Sequence, residues 1–185
     1  MQLDRAQAEV RSVYMGGFPG QIVSALLWGV AAALGTWSAP RHAIAALVVG
    51  GVFIYPLSQL PLRMAGHRAS LDVNNQFGQL AMQIALTIPL SLPAIAAATR
   101  YRLNWFFPAF MVVVGAHYLP FVLLYGMWEF AMLAGVLVGG GGAVGLFAPS
   151  LFSLGGWLTA AMLFVFAFIG HAAMLRAPRS AARRE

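Results

Sequence analysis

The chain has 185 residues, of which 61% are hydrophobic and only 9% are charged. A soluble domain carries about a quarter charged residues, so this composition excludes a water-soluble globular protein. The net charge of +6 comes entirely from arginines that are scattered over several loops and the tail, which argues against a nucleic-acid-binding patch. The chain has no cysteine, which excludes disulfides, thiolate metal sites and cysteine nucleophiles.

Six segments of the chain are almost wholly apolar and long enough to cross a hydrocarbon core of about 30 Å as helices. Glu129 is the only charged residue inside any of them. Because a charge at the bilayer centre costs roughly 2.5–3.5 kcal/mol on insertion scales, this segregation is typical of a membrane protein. The predicted spans are 17–38, 42–60, 75–98, 104–124, 128–147 and 151–174. We therefore predict an all-α fold, a bundle of six transmembrane helices that forms one integral membrane domain over residues 1–185.

The distribution of arginine predicts how the chain crosses the membrane. With the N-terminus inside, the inner loops and tail would hold eight arginines and the outer loops only Arg41, Arg100 and Arg102. The N-terminal segment carries Asp4 and Glu9 and has no apolar core of its own, so it is not expected to be a signal peptide. The absence of lysine beside abundant alanine, glycine and arginine is typical of GC-rich bacterial genomes. We expect a bacterial cytoplasmic (inner) membrane protein with both termini cytoplasmic.

The segment before the first span shows a weak helical pattern. Leu3, Val10 and Tyr14 recur at helical spacing, and Arg5 stands four residues before Glu9. The pattern predicts an amphipathic helix at the membrane interface. The alternative is a frayed tail.

The third predicted span carries a stripe of polar side chains spaced by three or four residues. At 100° per residue they fall within about 120° of one another on a helix. They are Gln76, Gln79, Gln83, Thr87 and Ser91. Lipid cannot satisfy amide groups, so we expect this face to point into the bundle or to line water. The side chains either join helices, at about 0.6 kcal/mol per hydrogen bond, or line a solute cavity; Pro89 and Pro93 predict a kink in the outer half.

His117 and Glu129 flank the tight turn predicted between the fourth and fifth spans. Both are expected in the cytoplasmic half of the membrane, with His117 deeper. An imidazole facing a carboxylate inside a membrane can relay protons or bind a cation, which would suit a proton-coupled transporter. The simpler interpretation is a hydrated Glu129 at the interface and a His117 that bonds a neighbouring carbonyl.

His171, late in the sixth span, is predicted at about the depth of His117. Two histidines on separate helices can ligate a haem, so a membrane haem or redox subunit is a further alternative. Only Asp72 and Glu129 are acids away from the termini, too few for a metal cluster or a two-carboxylate catalytic site. We therefore predict no metal, no cofactor and no catalytic residue, which argues against an enzyme.

The fifth predicted span is rich in small residues. Ala131, Gly135 and Gly139 recur every four residues, and a run of glycines covers 139–142. Small residues at this spacing let helix backbones approach closely, so this helix is either wedged within the bundle or forms the seam of a homodimer. The run is not a phosphate-binding loop, because it lacks the lysine and hydroxyl residues of that motif.

Three short segments carry a resemblance to a known group of proteins. They are YMGGFPG at 14–20, GVFIYPLS at 51–58 and GAHYLP at 115–120. Together they resemble a family of small, uncharacterised bacterial integral membrane proteins with a G-x-H-[FY]-L-P motif. The resemblance implies a small multi-span protein with this motif at an inner helix end. It implies no activity and assigns no catalytic or binding residue to this chain.

Three functional classes follow from these patterns. The main expectation is a membrane bundle that binds a lipid, a partner subunit or a small ligand. The first alternative is a transporter of a small solute or ion, with the polar stripe as its cavity wall and His117 and Glu129 as its proton couple. The second alternative is a haem subunit that uses His117 and His171. Membrane lipids are the expected partners in every case.

Overall fold

The computed structural model describes residues 3–64, 66, 70–148 and 150–176. In these residues it contains seven α-helices and no strand. The helices are α1 (Leu3–Val13), α2 (Phe18–Trp37), α3 (Pro40–Met64), α4 (Phe77–Tyr101), α5 (Phe106–Tyr125), α6 (Glu129–Phe147) and α7 (Leu154–Arg176). Short 3₁₀ turns at Met15–Gly17 and Leu103–Trp105 lead into α2 and α5.

Helices α2 to α7 are each long and apolar enough to cross a membrane. They coincide with the six predicted spans, so the prediction of an all-α bundle with six membrane-spanning helices is confirmed. The helix ends differ from the predicted ones by a few residues. The largest difference is at α3, which continues through Pro61 to Met64. Pro61 removes one backbone hydrogen bond, and because it lies three residues before the end of α3, only the last turn of the helix is affected.

The bundle has a packed centre and two outer helices. Helix α2 packs between α3 and α7, and α5 packs against α4, α6 and α7. Trp28 of α2 joins these two groups, because its ring lies 5.9 Å from that of Phe107 and 5.3 Å from that of Phe110, both on α5. Helix α3 packs mainly on α2, and α4 packs mainly on α5. Both α3 and α4 therefore leave much of their surface facing outward.

Glycines bring α5 and α6 into close contact. A Cβ atom added at Gly141 would lie 2.8 Å from the carbonyl oxygen of Pro108, and one at Gly115 would lie 2.9 Å from the backbone nitrogen of Val138. Distances this short are incompatible with any side chain, so the two backbones meet at these glycines. The glycine run of α6 thus serves packing within the chain, but through a different face from the predicted one.

The small residues predicted to pack α6 lie on its exposed side. Ala131, Gly135 and Gly139 are all exposed, and the Cβ positions of the two glycines have no neighbouring atom within 4 Å. Within the described part of the chain they therefore do not wedge α6 against another helix. A homodimer seam on this face stays a prediction.

The N-terminal segment is a helix that closes one end of the bundle. Helix α1 buries Ala6, Val10 and Val13 and packs on α4 and α5, so the frayed-tail alternative is wrong. The Cβ position of Gly16 is 3.2 Å from Met174, which places the start of α2 beside the end of α7. We call this side of the bundle the α1 face. Both ends of the described chain lie on it.

Polar contacts fix α1 to the start of α4. The Glu9 carboxylate accepts hydrogen bonds from the Asp72 backbone N–H (2.6 Å) and from the Asn75 side-chain amide (2.9 Å). The Asn75 carbonyl oxygen in turn accepts from the backbone N–H of Phe77 at 2.9 Å, where it satisfies a free donor of the first helical turn. Tyr14 is half-buried at the same face and bonds Tyr55, and burial is the main cause that raises its pKa to about 12.

Candidate functional site

A cleft of about 170 Å³ lies between α4 and α5. Its lining residues are Thr87, Ser91, Val113, Ala116 and His117. Ala116 is exposed and the two hydroxyl residues are half-buried, so the cleft is reached from the outer surface of the bundle. This is the side on which α4, as an outer helix, faces away from the packed centre.

The cleft is organised by one hydrogen bond between the two helices. The Oγ1 atom of Thr87 lies 2.6 Å from the Nδ1 atom of His117. The Thr87 hydroxyl also donates to the carbonyl of Ile84 (2.7 Å), and the Ser91 hydroxyl donates to the carbonyl of Thr87 (2.7 Å). Backbone carbonyls one turn earlier are the usual partners of hydroxyl side chains in membrane helices. The polar atoms are thus fixed at defined positions.

Two aromatic side chains of α5, the helix that carries His117, pack against its imidazole ring. The ring lies 5.8 Å from that of Tyr118 and 5.2 Å from that of Phe121 between centroids. His117 stands nine residues before Gly126, the residue at which α5 ends, and therefore about 13 Å from that end at 1.5 Å per residue. The cleft accordingly lies near the middle of the membrane-spanning part of the bundle.

The predicted polar stripe of α4 is divided in the structure. Thr87 and Ser91 are half-buried and line the cleft, whereas Gln76, Gln79 and Gln83 are exposed. The three amides therefore do not face the packed interior of this chain. Gln83 lies one turn from Thr87 on the same side of the helix.

A second polar hollow, of about 450 Å³, lies at the start of α4. It is lined by Val73, Asn74, Asn75, Gln76, Gly78 and Gln79. Together with Gln83, these residues make a polar path along the outside of α4, from the α1 face to the cleft.

The structure does not join His117 with the other residues predicted to act with it. Glu129 is the first residue of α6, and among the described residues it shares no hydrogen bond or ion pair with His117, whose partner is Thr87. His171 lies against α2, where its ring is 5.0 Å from that of Phe18, while His117 lies against α4. Neither a proton couple nor a shared ligand site is formed by these contacts.

Sequence reasoning missed a set of buried polar residues away from the cleft. They are Gln21, Ser24, Ser58, Gln59 and Thr159. Among the described residues, the buried side-chain oxygens of Gln21 and Gln59 have no hydrogen-bond partner, and neither has the Nδ1 atom of His171. Each of them is a polar residue within an apolar span, which is the same signal that singled out the stripe on the third span. None of the described His, Asp and Glu residues forms a group of three that could hold a metal ion.

Comparison with known families places this geometry in context. The sequence matches the profile of a family of unknown function, DUF7010, over residues 3–176. The chain belongs to the DUF7010 family. The predicted resemblance to an uncharacterised family is confirmed at that level. Comparisons of this DUF7010 member with curated proteins and with solved structures give no match.

The segment GAHYLP that carried the resemblance has a physical role in this DUF7010 member. Gly115 permits the contact with α6, and His117 forms the hydrogen bond to α4. Ala116 lines the cleft. Pro120, four residues later, has no N–H and therefore cannot bond the carbonyl of Ala116. The segment thus combines helix packing with the polar groups of the cleft.

Proposed function

We propose that this DUF7010 member is a bacterial inner-membrane protein, with both termini cytoplasmic, that binds the polar head of a membrane amphiphile in the α4–α5 cleft. In this orientation the α1 face is cytoplasmic, which agrees with the excess of arginine on that side. The observation that carries the proposal is the Thr87–His117 hydrogen bond at the α4–α5 cleft, at mid-membrane depth.

The energetics of polar groups in a membrane support this proposal. Burying a hydroxyl or an imidazole away from water is costly unless it is hydrogen-bonded. Apolar side chains could fill the space between α4 and α5 without that cost. A cleft that keeps three polar side chains beside open space is therefore better suited to holding a polar ligand than to packing.

The position of the cleft favours a ligand that comes from the membrane. It is open on the outer surface of the bundle, where the surrounding medium is lipid, and Ala116 is exposed there. The exposed Gln79 and Gln83 offer amides between the cleft and the α1 face, so a head group can be bonded along the path. The transport alternative needs a His117–Glu129 proton couple beside the polar stripe, and the described contacts do not join these two residues, so we favour binding.

Filling the cleft tests the proposal. Ala116→Leu places a larger apolar side chain in the cleft and leaves both partners of the Thr87–His117 hydrogen bond unchanged. Ala85→Leu makes the same change at an exposed position on α4 that does not line the cleft. We expect an amphiphile to co-purify with the wild type and with Ala85→Leu. We expect its occupancy to fall about tenfold in Ala116→Leu, because overpacking of 1–3 kcal/mol opposes binding.

The measurement is mass spectrometry of bound molecules after exchange into a fresh detergent. Equal amounts of the amphiphile in both variants would contradict the proposal, as would a wild-type protein that carries none. Thermal unfolding of the two variants serves as the folding control.

A further inference from the structure

The hydrogen-bond directions in the cleft define which ligand chemistry it can take, on the assumption that the proposed function holds. A hydroxyl group has one proton to donate and two lone pairs to accept with. The proton of Thr87 is directed to the Ile84 carbonyl and that of Ser91 to the Thr87 carbonyl, both at 2.7 Å. Neither hydroxyl therefore has a proton left for a ligand.

The same count of donors and acceptors determines which ring nitrogen of His117 carries the proton. Because the Thr87 hydroxyl donates to Ile84, its oxygen must accept in the 2.6 Å contact with Nδ1 of His117. The neutral imidazole then carries its proton on Nδ1, and its Nε2 atom is an acceptor.

Backbone groups add a further acceptor and no donor. The carbonyl of Ala116 has no helical partner because Pro120 has no N–H. The side chains of Val113 and Ala116 are apolar, and the N–H groups of α5 are used within the helix. The lining residues therefore offer acceptors from Thr87, Ser91, Ala116 and His117, and their polar protons are already bonded.

From this we infer that the cleft selects a head group that donates hydrogen bonds, an amine or a hydroxyl, and rejects anionic head groups. An ammonium or hydroxyl can donate to the acceptors of the lining residues, among them Nε2 of His117. A phosphate or carboxylate would meet only lone pairs, and unsatisfied acceptors that face an anion destabilise its binding.

A matched pair of probes tests this inference. Dodecylamine and dodecyltrimethylammonium have the same chain and the same charge, but only dodecylamine has N–H donors. By native mass spectrometry of the detergent-solubilised protein, we expect dodecylamine to bind about tenfold more tightly, the value of one charge-assisted hydrogen bond. In His117→Phe this preference should fall to about twofold or less.

The outcomes separate the inference from the function on which it rests. Equal saturable binding of both probes that Ala116→Leu abolishes would overturn the donor rule and leave the proposed function standing. If neither probe shows saturable binding, both the donor rule and the proposed function are overturned. If dodecanoate binds more tightly than dodecylamine, only the donor rule is overturned. Butylamine that binds as tightly as dodecylamine would support the donor rule but assign the ligand to solution instead of the membrane.

An independent readout does not depend on changing the cleft. Nitrogen-15 spectra of labelled imidazole distinguish the two neutral tautomers. The experiment uses a triple variant, His42→Gln, His67→Gln and His171→Gln, in which His117 is the only histidine. We expect the proton on Nδ1, and a shift at Nε2 when dodecylamine is added but not when the trimethyl probe is added. A proton on Nε2 would overturn the inference even if the variants in the cleft fail to fold.

Discussion

Gly141→Ala is expected to destabilise the bundle strongly, while Gly142→Ala, at the next residue, leaves it nearly unchanged. The added methyl at Gly141 would lie 2.8 Å from the Pro108 carbonyl oxygen and 3.1 Å from the backbone nitrogen of Val112. Backbone atoms cannot turn aside as a flexible side chain can, so α5 and α6 would have to separate. Overpacking of this kind costs about 1–3 kcal/mol.

Unfolding in mixed micelles, followed by circular dichroism, measures this difference in the free energy of unfolding. Gly142 is the matched control, because its Cβ position has no neighbouring atom within 4 Å and both changes replace a helical glycine by alanine. If both variants lose the same free energy, the α5–α6 contact described above is wrong.

Arg11→Ala is expected to weaken the attachment of helix α1 to the end of α5. Arg11 donates from Nη1 to the Tyr125 carbonyl at 2.5 Å, and Gln7 donates from Nε2 to the Leu123 carbonyl at 2.7 Å. Both carbonyls belong to the last turn of α5, where the helix has no donors of its own and its dipole favours a positive charge. A hydrogen bond from a charged donor contributes about 1.5–3 kcal/mol.

Hydrogen–deuterium exchange of residues 3–13 is the measurement for this prediction. Exchange should become faster throughout α1 in Arg11→Ala. Ser12→Ala is the control, because Ser12 is exposed on the same helix and its loss should change little. Unaltered protection of α1 in Arg11→Ala would mean that its buried apolar residues hold it without the arginine.

The six spans could be predicted because the membrane penalises charge so strongly. A single charged residue, Glu129, lies within a predicted apolar segment, and it begins α6 in the structure. The rule that places charges outside the hydrocarbon depends on composition alone. It needs no knowledge of which helices touch. The prediction of element number and type was therefore the most secure part of the sequence analysis.

The faces of the helices could not be predicted in the same way. In lipid, the surface that meets another helix and the surface that meets hydrocarbon are both apolar, so no hydrophobic pattern marks the buried side. Gly139 and Gly141 look equivalent in the sequence, yet a rotation of about 200° places one outward and the other against α5. The small-residue spacing predicted close helix contact, and within the described chain α6 makes that contact at Gly141, on a different side from Gly139. A homodimer seam on the side of Gly139 stays a prediction.

The polar stripe shows the same limit at the candidate site. Its spacing correctly placed Thr87 and Ser91 on one face of α4, but it gave no means of pairing Thr87 with His117, thirty residues later. The pairing depends on the packing of α4 against α5. One interpretation of the sequence paired His117 with Glu129 because the two flank one turn, whereas the hydrogen bond that the structure describes for His117 is with Thr87.

Occupancy of the cleft can be measured at a single thiol, because the chain has no cysteine of its own. Ser91→Cys replaces a cleft hydroxyl with a group of similar shape, and Ala85→Cys serves as an exposed control on the same helix. We predict that a membrane lipid extract, added to delipidated protein, slows N-ethylmaleimide labelling of the Ser91→Cys variant, and that this effect saturates as more lipid is added. The labelling rate of the Ala85→Cys variant should show no saturable dependence on lipid. Labelling of both variants with the same dependence on lipid would contradict a binding site between α4 and α5.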